Sequence, residues 1–351
     1  MILINGYFFC RRLTGIERYA FEITKRLDKL SFPGEISLIV PGNCDSVPDF
    51  ENITVIRYKK IIPHILWQMF TLQFFLLFHP AYTILEFANT CLPFSPGIIF
   101  LHDIYCELYP KDFFSLRDKI VRLYNRWQYR LISKKAKKII TVSYYSRNQI
   151  ASSFNLDPSS IEVVGNGWEH FKDIKSDHSI FESFPALVQP FYFSLGSLSL
   201  RKNLKWIINH AKENASEFFV ISGTKIPTAR LKDFNSKSLP DNVIFLGYLN
   251  DSQVKALMEK CKAFIMPSYY EGFGIPPMEA LSVGTSVIAA NSSSLPEIYG
   301  AAVHYMDPVN TNINLNKLLE EPVEDPNKVM KKYSWDISAE KIYQIIRNDQ
   351  C

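Results

Sequence analysis

The chain has 351 residues, which is enough for two domains of ordinary size, and 47% of them are hydrophobic. The length excludes a single small module, and the hydrophobic content excludes a largely disordered protein. The formal net charge of +4, from 39 basic and 35 acidic residues, excludes a dedicated nucleic-acid binder.

Six cysteines are scattered along the chain without a Cys-x-x-Cys pair or a histidine at ligand spacing. This pattern predicts reduced cysteines, with neither a disulfide framework nor a zinc site. At the N-terminus the first positive charges, Arg11 and Arg12, follow the apolar run, which is the reverse of a secretory signal. We therefore expect a cytoplasmic protein without a bound metal.

The first half of the chain alternates short apolar runs, rich in β-branched residues, with helical segments. Seven runs predict strands that are buried on both faces: Met1 to Ile4, Ile36 to Val40, Ile53 to Ile56, Thr83 to Phe87, Ile98 to Leu101, Ile139 to Val142 and Ile161 to Val164. Between the first two runs, Thr14 and Glu17 have capping-box spacing and predict the start of a helix. Strands that alternate with helices predict a parallel sheet.

The most apolar stretch lies between Ile61 and Phe78 and is almost long enough to span a membrane. His64, Gln68 and Thr71 recur on one side of a helix, so the stretch predicts an amphipathic helix instead. Packing beneath a sheet is the favoured interpretation of this helix, and contact with a membrane is the alternative.

A strongly basic helix is predicted within residues 117–138. Arg122, Arg126 and Arg130 recur every four residues, aromatic side chains lie among them, and only Asp118 offsets the positive charge. Such a helix fits an anionic membrane surface, and it also fits the solvated face of an ordinary helix. The first interpretation places the protein on the inner face of the plasma membrane.

The second half repeats the alternation of strands and helices. Its six predicted strands are Phe191 to Leu195, Phe218 to Ser222, Val243 to Leu246, Ala263 to Met266, Ser286 to Ala289 and Ala302 to Tyr305. Ser294 and Glu297 have the spacing of another capping box. Residues 171–190, between the halves, are polar and irregular, so we predict a linker there.

The predicted fold class is therefore α/β, with two doubly wound parallel sheets. The first domain comprises residues 1–170 and the second comprises residues 191–333. Open parallel sheets bind ligands beyond the carboxyl ends of their strands, so we expect the site in a cleft between the domains.

One glycine-containing loop follows the fourth strand of the second half and leads into a predicted helix. Gly272 and Gly274 allow the backbone to approach a ligand closely, and Pro276 suits the first helical turn. The amides and the positive end of that helix then form a site for an anion such as a diphosphate. Glu271 and Glu279 add acceptors for sugar hydroxyls, although each alone also fits a solvated loop or a residue that complements the helix dipole.

A second loop, after the strand Phe191 to Leu195, carries Gly196 and the adjacent cations Arg201 and Lys202. A nucleotide leaving group gains negative charge as its bond to the sugar breaks, and positive side chains stabilise that charge. An isolated Arg-Lys pair more often forms a solvated basic turn. The motifs elsewhere in the chain favour the phosphate-binding interpretation.

Taken together, the motifs resemble the GT4 family of retaining glycosyltransferases, which have the two-domain GT-B fold. The matching motifs, in chain order, are Gly15-Ile16-Glu17-Arg18-Tyr19, His102-Asp103, Thr141-Val142-Ser143 with Ser146, Asn166-Gly167, Gly196 with Arg201-Lys202-Asn203, Leu246-Gly247-Tyr248, and the Glu-x7-Glu motif from Glu271 to Glu279. The resemblance spans nearly the whole chain. Within the family, the chain is similar to bacterial surface-polysaccharide mannosyltransferases.

The resemblance implies roles for individual residues. The implied donor-binding residues are Gly15, Gly196, Arg201, Lys202, Leu246, Gly247, Glu271, Phe273, Gly274, Ile275 and Glu279. The implied catalytic residues are His102, Asp103, Arg201, Lys202 and Glu271. Arg201 and Lys202 would hold the donor diphosphate, Glu279 the ribose and Glu271 the transferred sugar. His102 would lie near the sugar and acceptor, although a single histidine also fits a hydrogen-bonded core position.

The resemblance also implies the reaction. It is the metal-independent, retaining transfer of a hexose from a nucleotide-diphosphate sugar, with no further cofactor, to a lipid-linked or oligosaccharide acceptor. Mannose from GDP-mannose, used in bacterial O-antigen or capsule synthesis, is the leading choice. A terminal helix in residues 334–351 is expected to pack back on the first domain. Two alternatives stay open, a nucleotide-sugar epimerase of the same fold and a nucleotide-sugar-binding protein without turnover.

Overall fold

A computed structural model describes residues 1–60, 62–196, 199–223 and 239–350. The chain divides into two units. The first unit consists of Met1–Asn166 together with Ser334–Cys351, and the second of Gly167–Tyr333. Each unit is built on its own parallel sheet.

The sheet of the first unit has seven parallel strands in the order β3-β2-β1-β4-β5-β6-β7. They are β1 (Ile2–Asn5), β2 (Ile36–Val40), β3 (Thr54–Arg57), β4 (Thr83–Glu86), β5 (Ile98–Phe100), β6 (Lys138–Thr141) and β7 (Ile161–Val163). All seven predicted strands are therefore present. The expectation of burial on both faces is wrong for β3, where Thr54 and Arg57 are exposed because this strand lies at the edge of the sheet.

Helices cover this sheet. They are α1 (Gly15–Leu30), α2 (His64–Leu66), α3 (Gln73–Phe78), α4 (Tyr105–Leu108), α5 (Leu116–Lys135) and α6 (Tyr144–Phe154), and the π-helical turn Trp67–Leu72 joins α2 to α3. Thr14 precedes α1 as predicted, but the predicted capping box does not form. The Thr14 hydroxyl instead donates to the Glu17 carboxylate, which also pairs with Arg11 Nη1 at 2.8 Å.

The helical segment of residues 64–78 does not follow the predicted amphipathic pattern. Gln68, expected on a polar outer stripe, is buried, and its Nε2 donates to Glu86 Oε2 at 2.9 Å. Large apolar residues lie on both sides of the segment, since Trp67 is buried whereas Phe74 is exposed. Ile61, at the start of the predicted helix, lies outside the described residues. In the part of the chain that the structure describes, no helix has the length and apolarity needed to cross a membrane.

The described residues of the second unit form six parallel strands in the order β10-β9-β8-β11-β12-β13. They are β8 (Tyr192–Gly196), β9 (Phe219–Gly223), β10 (Val243–Gly247), β11 (Ala263–Met266), β12 (Val287–Ala290) and β13 (His304–Met306). All six predicted strands are present, and two doubly wound parallel sheets confirm the predicted α/β class.

The helices of the second unit are α7 (Ser179–Ser183), α8 (Leu204–Glu213), α9 (Asp251–Lys260), α10 (Ile275–Ser282), α11 (Leu295–Tyr299), α12 (Leu315–Leu319) and α13 (Asn327–Lys332). Residues 171–190, the predicted linker, belong to this unit and include α7. Trp206 and Ile207 of α8 pack with β-strand residues such as Phe219 in one buried cluster. This packing holds α8 against the sheet of the second unit.

The last helix, α14 (Trp335–Gln350), belongs to the first unit and packs on α1. The ring of Trp335 lies edge-on to that of Tyr19, with 5.5 Å between the centroids. Near the other end of α14, Tyr343 Oη donates to Glu35 Oε2 at 2.8 Å. Because both contacts join residues more than 300 positions apart, they tie the end of the chain to its beginning.

Candidate functional site

Two loops meet at the carboxyl edge of the second sheet. They follow β8 and β11, which are neighbours in the sheet although other strands separate them in the chain. The strand order reverses at this pair, which is where open parallel sheets bind ligands. The backbone N–H of Tyr269 donates to the Arg201 carbonyl at 3.0 Å, and Asn203 Nδ2 donates to the Pro267 carbonyl at 3.0 Å. The two loops are thus held together by direct hydrogen bonds.

The predicted cations converge on one predicted carboxylate. Lys202 Nζ lies 2.8 Å from Glu271 Oε1, and Arg201 Nη1 lies 3.7 Å from Glu271 Oε2. Burial alone would raise the pKa of Glu271, but the charges of Lys202 and Arg201 outweigh it, so its pKa is lowered. Glu271 is therefore an ionised, buried carboxylate beside two cations that remain partly exposed.

Three consecutive serines hold the backbone of the Glu271 loop, a role that no sequence pattern indicated. Ser292 Oγ donates to the Tyr269 carbonyl at 2.7 Å, and Ser294 Oγ donates to the Glu271 carbonyl at 3.0 Å. Between them, Ser293 Oγ accepts from the Glu271 N–H at 3.0 Å. The loop is therefore fixed from outside, by side chains that follow β12.

The contact made by Ser294 also explains why its predicted capping box is absent. Ser294 precedes α11, but its side chain makes no capping hydrogen bond. Its backbone has φ −77° and ψ −14°, which is helical rather than extended, and an N-cap residue normally needs the extended conformation. The hydroxyl is therefore available to the Glu271 loop instead of the first turn of its own helix.

The start of α10 has the conformation that a glycine allows. Gly274 caps the helix with φ +86°, and a Cβ there would lie 2.7 Å from Leu295 Cδ2. Pro276 and Pro277 occupy the first turn, as predicted. They carry no N–H, so the nearby donors at this positive helix end are backbone groups of residues such as Ile275. Phe273, which precedes the cap, is buried, with its ring 5.2 Å from that of Tyr333.

The second glutamate of the Glu-x7-Glu motif has a histidine partner that sequence reasoning missed. His170 Nε2 lies 3.0 Å from Glu279 Oε1, and the His170 side chain is almost fully buried. The two residues are 109 positions apart, so no spacing signal connects them. His170 fixes the orientation of the Glu279 carboxylate on the first turns of α10.

The remaining predicted donor-binding residues of this unit lie at strand ends. Gly196 ends β8 and is paired in register with Gly223 of β9, a glycine that the sequence analysis did not select. A Cβ on Gly223 would lie 1.6 Å from the Gly196 carbonyl oxygen, so the backbones need this glycine. Leu246 and Gly247 end β10, and β9 separates them from the cation loop.

The predicted residues of the first unit lie at two places on its sheet. Gly15 begins α1, and a Cβ there would meet no protein atom within 4 Å. His102 is buried just after β5, and its Nε2 lies 2.8 Å from the Phe87 carbonyl. Because a carbonyl only accepts, Nε2 carries the proton, and burial lowers the pKa of this imidazole. Asp103 accepts from the Tyr105 N–H at 3.0 Å, so it caps a short helical turn.

A buried acid, Glu86, was also missed by the sequence analysis because it ends a strand that reads as apolar. It accepts from Asn5 Nδ2 at 2.6 Å and from the Ala88 N–H at 3.0 Å, in addition to Gln68. Burial outweighs these hydrogen bonds and raises its pKa to about 7. With Asn5 and His64 it lines a small cavity where the strand order of the first sheet reverses.

The two halves of the chain match two known families. Residues 13–170 match the family described as glycosyltransferase family 4, and residues 176–340 match glycosyl transferases group 1. The two matches together cover nearly the whole chain. The chain belongs to glycosyltransferase family 4. The suspected resemblance is therefore confirmed.

Relatives of this glycosyltransferase include enzymes named for O-antigen synthesis. One from Escherichia coli, O-antigen chain mannosyltransferase B, is 24% identical and aligns over 92% of this chain and 93% of its own length. Another from Salmonella typhimurium, O-antigen chain mannosyltransferase RfbU, is 27% identical over 60% of this chain and 56% of its own.

Solved structures establish the fold of this glycosyltransferase as GT-B. Sucrose-phosphate synthase from Thermosynechococcus elongatus matches with a TM-score of 0.72 at 15% identity, over 99% of this chain and 98% of its own. HepE from Anabaena, solved in complex with UDP and glucose, matches with a TM-score of 0.68 at 17% identity, over 99% of both chains. The predicted fold is confirmed.

We expect Glu86 to reduce the stability of this glycosyltransferase as the pH rises from about 4.5 to about 7. Over this range the folded state keeps a proton that the unfolded state has lost, so the free energy of unfolding falls with pH. The full effect is about 3 kcal/mol at about 1.4 kcal/mol per pKa unit. Denaturant unfolding at pH 4.5 and pH 7.5 should show a smaller fall in the free energy of unfolding for Glu86→Gln than for the wild type. Glu340→Gln, at an exposed position, is the control, and equal falls in all three proteins would contradict the raised pKa.

Proposed function

We propose that this glycosyltransferase moves mannose from GDP-mannose to a lipid-linked or glycan acceptor, with retention of configuration and without a metal ion. The product would be a bacterial surface polysaccharide, an O-antigen or a capsule. The observation that carries the proposal is the convergence of Lys202 and Arg201 on Glu271 where the strand order reverses. The names of the O-antigen mannosyltransferases among its relatives support mannose as the sugar.

The proposal assigns the donor diphosphate to Arg201 and Lys202. Both side chains are partly exposed, so phosphate oxygens can reach them without opening the core. The guanidinium and ammonium groups, with the positive end of α10, supply the positive charge that a divalent ion supplies in other transferases. As the glycosidic bond to the diphosphate breaks, these groups stabilise the charge on the departing phosphate.

Glu271 and Glu279 are assigned to hydroxyl groups. The lowered pKa of Glu271 keeps it ionised, so its two oxygens accept hydrogen bonds from hydroxyls of the transferred sugar. Glu279, held by His170, accepts from the ribose. The backbone of Phe273 to Ile275 contacts the sugar and phosphate, and Leu246 and Gly247 flank the base. Gly15 would let the loop of the first unit approach the donor.

The acceptor side is assigned to the first unit. His102 would lie near the reacting sugar, and its protonated Nε2 bonded to Phe87 leaves Nδ1 as the acceptor of a proton or hydrogen bond. Asp103 fixes the turn that follows His102. No side chain is assigned as a covalent nucleophile, because in the proposed mechanism the acceptor hydroxyl attacks from the face that the diphosphate leaves. The departing phosphate accepts the hydroxyl proton. Residues 117–138 would contact the membrane that holds a lipid-linked acceptor.

A panel of nucleotide sugars tests this proposal. Each sugar is incubated with the protein, a lipid-linked acceptor and EDTA, and free nucleoside diphosphate is measured. We expect release from GDP-mannose, only when acceptor is present and undiminished by EDTA, and an α-linked product by NMR of its anomeric proton. A β-linked product would contradict retention, and loss of turnover in EDTA would contradict metal independence. Consumption of donor without acceptor would indicate an epimerase, and tight binding without turnover a binding protein.

A further inference from the structure

The outer side of the helical segment at residues 64–78 is apolar. Phe70 and Phe74 are 56% and 55% exposed, and Phe78, at the end of α3, is 79% exposed. The buried side of the same segment includes Gln68 and Gln73. A surface helix normally places its apolar residues toward the core and its polar residues toward water, so this segment presents the reverse arrangement on part of its surface.

A second exposed apolar stripe runs along α5. Leu116, Ile120, Leu123 and Trp127 are spaced by four, three and four residues, which places them on one face of a helix. All four are exposed, from 76% at Leu116 to 41% at Trp127. The C-terminal part of α5 is different, since Tyr129 and Ile132 pack in the core.

Strand register places the two helices on the same face of the first sheet. Leu3 pairs with Ile84, and both pack with Trp67 of the first helical segment. Glu86 lies two residues beyond Ile84, on the same face, and pairs with Ile99. Ile99 packs with Tyr129 and Ile132 of α5. The next residue, Phe100, faces the other way, toward Tyr19 of α1, with ring centroids 5.1 Å apart.

The connection from β4 to β5 lies between the two helices and contacts both. Gln73 Oε1 accepts from the Phe94 N–H at 3.1 Å, and Gln128 Oε1 accepts from the Cys91 N–H at 2.8 Å. Phe94 itself is 74% exposed. Exposed apolar residues of both helices and of this connection therefore make up one region on the same side of the first sheet. We call it the apolar platform, and it comprises Phe70, Phe74, Leu77, Phe78, Phe94, Leu116, Ile120, Leu123 and Trp127.

Part of the basic charge expected beside this surface is paired within the protein. Arg126 Nε lies 2.7 Å from Glu107 Oε2, and Arg130 Nη2 lies 3.5 Å from Glu107 Oε1. Arg122 Nε donates to the Cys106 carbonyl at 2.9 Å. Asp118 is the only acid within residues 117–138, as the sequence shows, but Glu107 from outside that range is folded against the cluster and offsets it as well. Attraction between exposed charges alone is weaker here than the sequence indicates.

The occupant that fits the apolar platform is a lipid bilayer. Exposed cations at the flanks, Arg117 and Lys119 near one end of the stripe and Lys134 near the other, suit anionic headgroups. A second copy of the chain fits less well, because a two-fold contact through this surface would bring equal positive charges together. Trp127 suits the headgroup region, and the four phenylalanines of the platform suit the boundary between headgroups and acyl chains.

We propose that the apolar platform inserts into the interfacial region of an anionic bilayer, and that apolar burial, more than salt-sensitive attraction, holds the protein there. The proposal rests on the proposed function only in that a lipid-linked acceptor requires a membrane. Trp127 and Phe74 would enter the acyl boundary together, because their helices lie on one face of one sheet.

Vesicles of phosphatidylcholine with 30% phosphatidylglycerol, some carrying brominated acyl chains, test the proposal. Trp127 is the most exposed of the five tryptophans, so bromine should quench its emission, and Trp127→Phe should remove that quenching. The double variant Phe74→Ser/Phe78→Ser should bind the vesicles at least about 10-fold more weakly. Phe32→Ser, at an exposed phenylalanine in the turn after α1, is the matched control and should bind normally.

Binding should fall less than about threefold when NaCl is raised from 50 mM to 500 mM, because screening affects exposed charges and not apolar contacts. The proposal is overturned by absence of vesicle binding at 50 mM NaCl, by a double variant that binds like the wild type, or by loss of binding at 500 mM NaCl. A dimer that the double variant dissociates, without vesicle binding, would assign the surface to a second copy. Transfer to a water-soluble acceptor should survive in the double variant, because the platform is not part of the donor site. If the wild type transfers sugar to no acceptor but still binds vesicles, the proposed function fails and the proposed membrane surface stands.

Discussion

Replacing Lys202 with alanine should lower the rate of sugar transfer at least about 100-fold, the loss typical of removing one preorganised group that stabilises developing negative charge. The ammonium group is the closest cation to Glu271, at 2.8 Å, and is assigned to the donor diphosphate. Its loss also leaves Arg201, at 3.7 Å, as the one remaining cation within 4 Å of Glu271 among the described contacts. Steady-state assays of nucleoside diphosphate release would measure the change.

Lys205→Ala is the matched control for this substitution. Lys205 lies one turn further on, in α8, and is exposed, so the variant removes the same charge from the same region without altering the Glu271 cluster. Its rate should stay within about twofold of the wild type, since surface charges away from specific contacts have small effects. Equal losses in both variants, or a normal rate in Lys202→Ala, would show that the Lys202 ammonium has no specific role.

Gly274→Ala should lower the free energy of unfolding by about 2 to 4 kcal/mol and reduce transfer as well. A left-handed φ of +86° is costly for alanine, and the added Cβ would lie 2.7 Å from Leu295 Cδ2. Leu295 is fully buried, so relief of that contact requires its side chain or the start of α10 to move. Because the backbone at this helix end is assigned to the sugar and phosphate, the same movement displaces donor contacts. Denaturant unfolding and donor titration would measure the two effects.

Gly284→Ala separates the cost of the left-handed backbone from the cost of the contact with Leu295. Gly284 also has a left-handed φ, +80°, but a Cβ there would meet no atom within 4 Å. This variant should therefore lose only about 1 kcal/mol and keep normal transfer. If the two alanine variants lose equal stability, the contact with Leu295 contributes nothing, and if Gly274→Ala binds donor normally, the start of α10 is not part of the donor site.

The strands and the two site loops could be predicted because their signals are local. A fully buried strand such as Ala263–Met266 must be apolar throughout, and its length then marks where the following loop begins. Arg201 and Glu271 each follow such a strand, and parallel strands bring their carboxyl ends to one edge. Their proximity also depends on β8 and β11 being neighbours in the sheet, and the strand pattern does not specify that pairing.

The features that could not be predicted depend on distant residues. Glu107 neutralises Arg126 from 19 positions away, and His170 meets Glu279 from 109 positions away. The capping box at Ser294 failed because its backbone is helical, whereas Ser115, which forms a box with Asp118, is extended. Thr14 is extended, but its hydroxyl donates to the Glu17 carboxylate, which also pairs with Arg11, so its box fails through side-chain contacts instead.

The prediction of which side of residues 64–78 faces outward failed for another reason. Periodicity identifies a helix with unlike sides but does not say which side meets the sheet. Here Glu86 and Thr90 provide buried partners for Gln68, so a polar residue is satisfied inside while phenylalanines remain outside. Only the structure of the neighbouring strand reveals those partners.

A crystal structure of the protein with GDP would test the assignment of the diphosphate to Arg201 and Lys202. Oxygens of the β-phosphate should lie within hydrogen-bonding distance of Lys202 Nζ and the Arg201 guanidinium, with the ribose hydroxyls on Glu279. A diphosphate bound elsewhere, with Lys202 still paired to Glu271 alone, would contradict it.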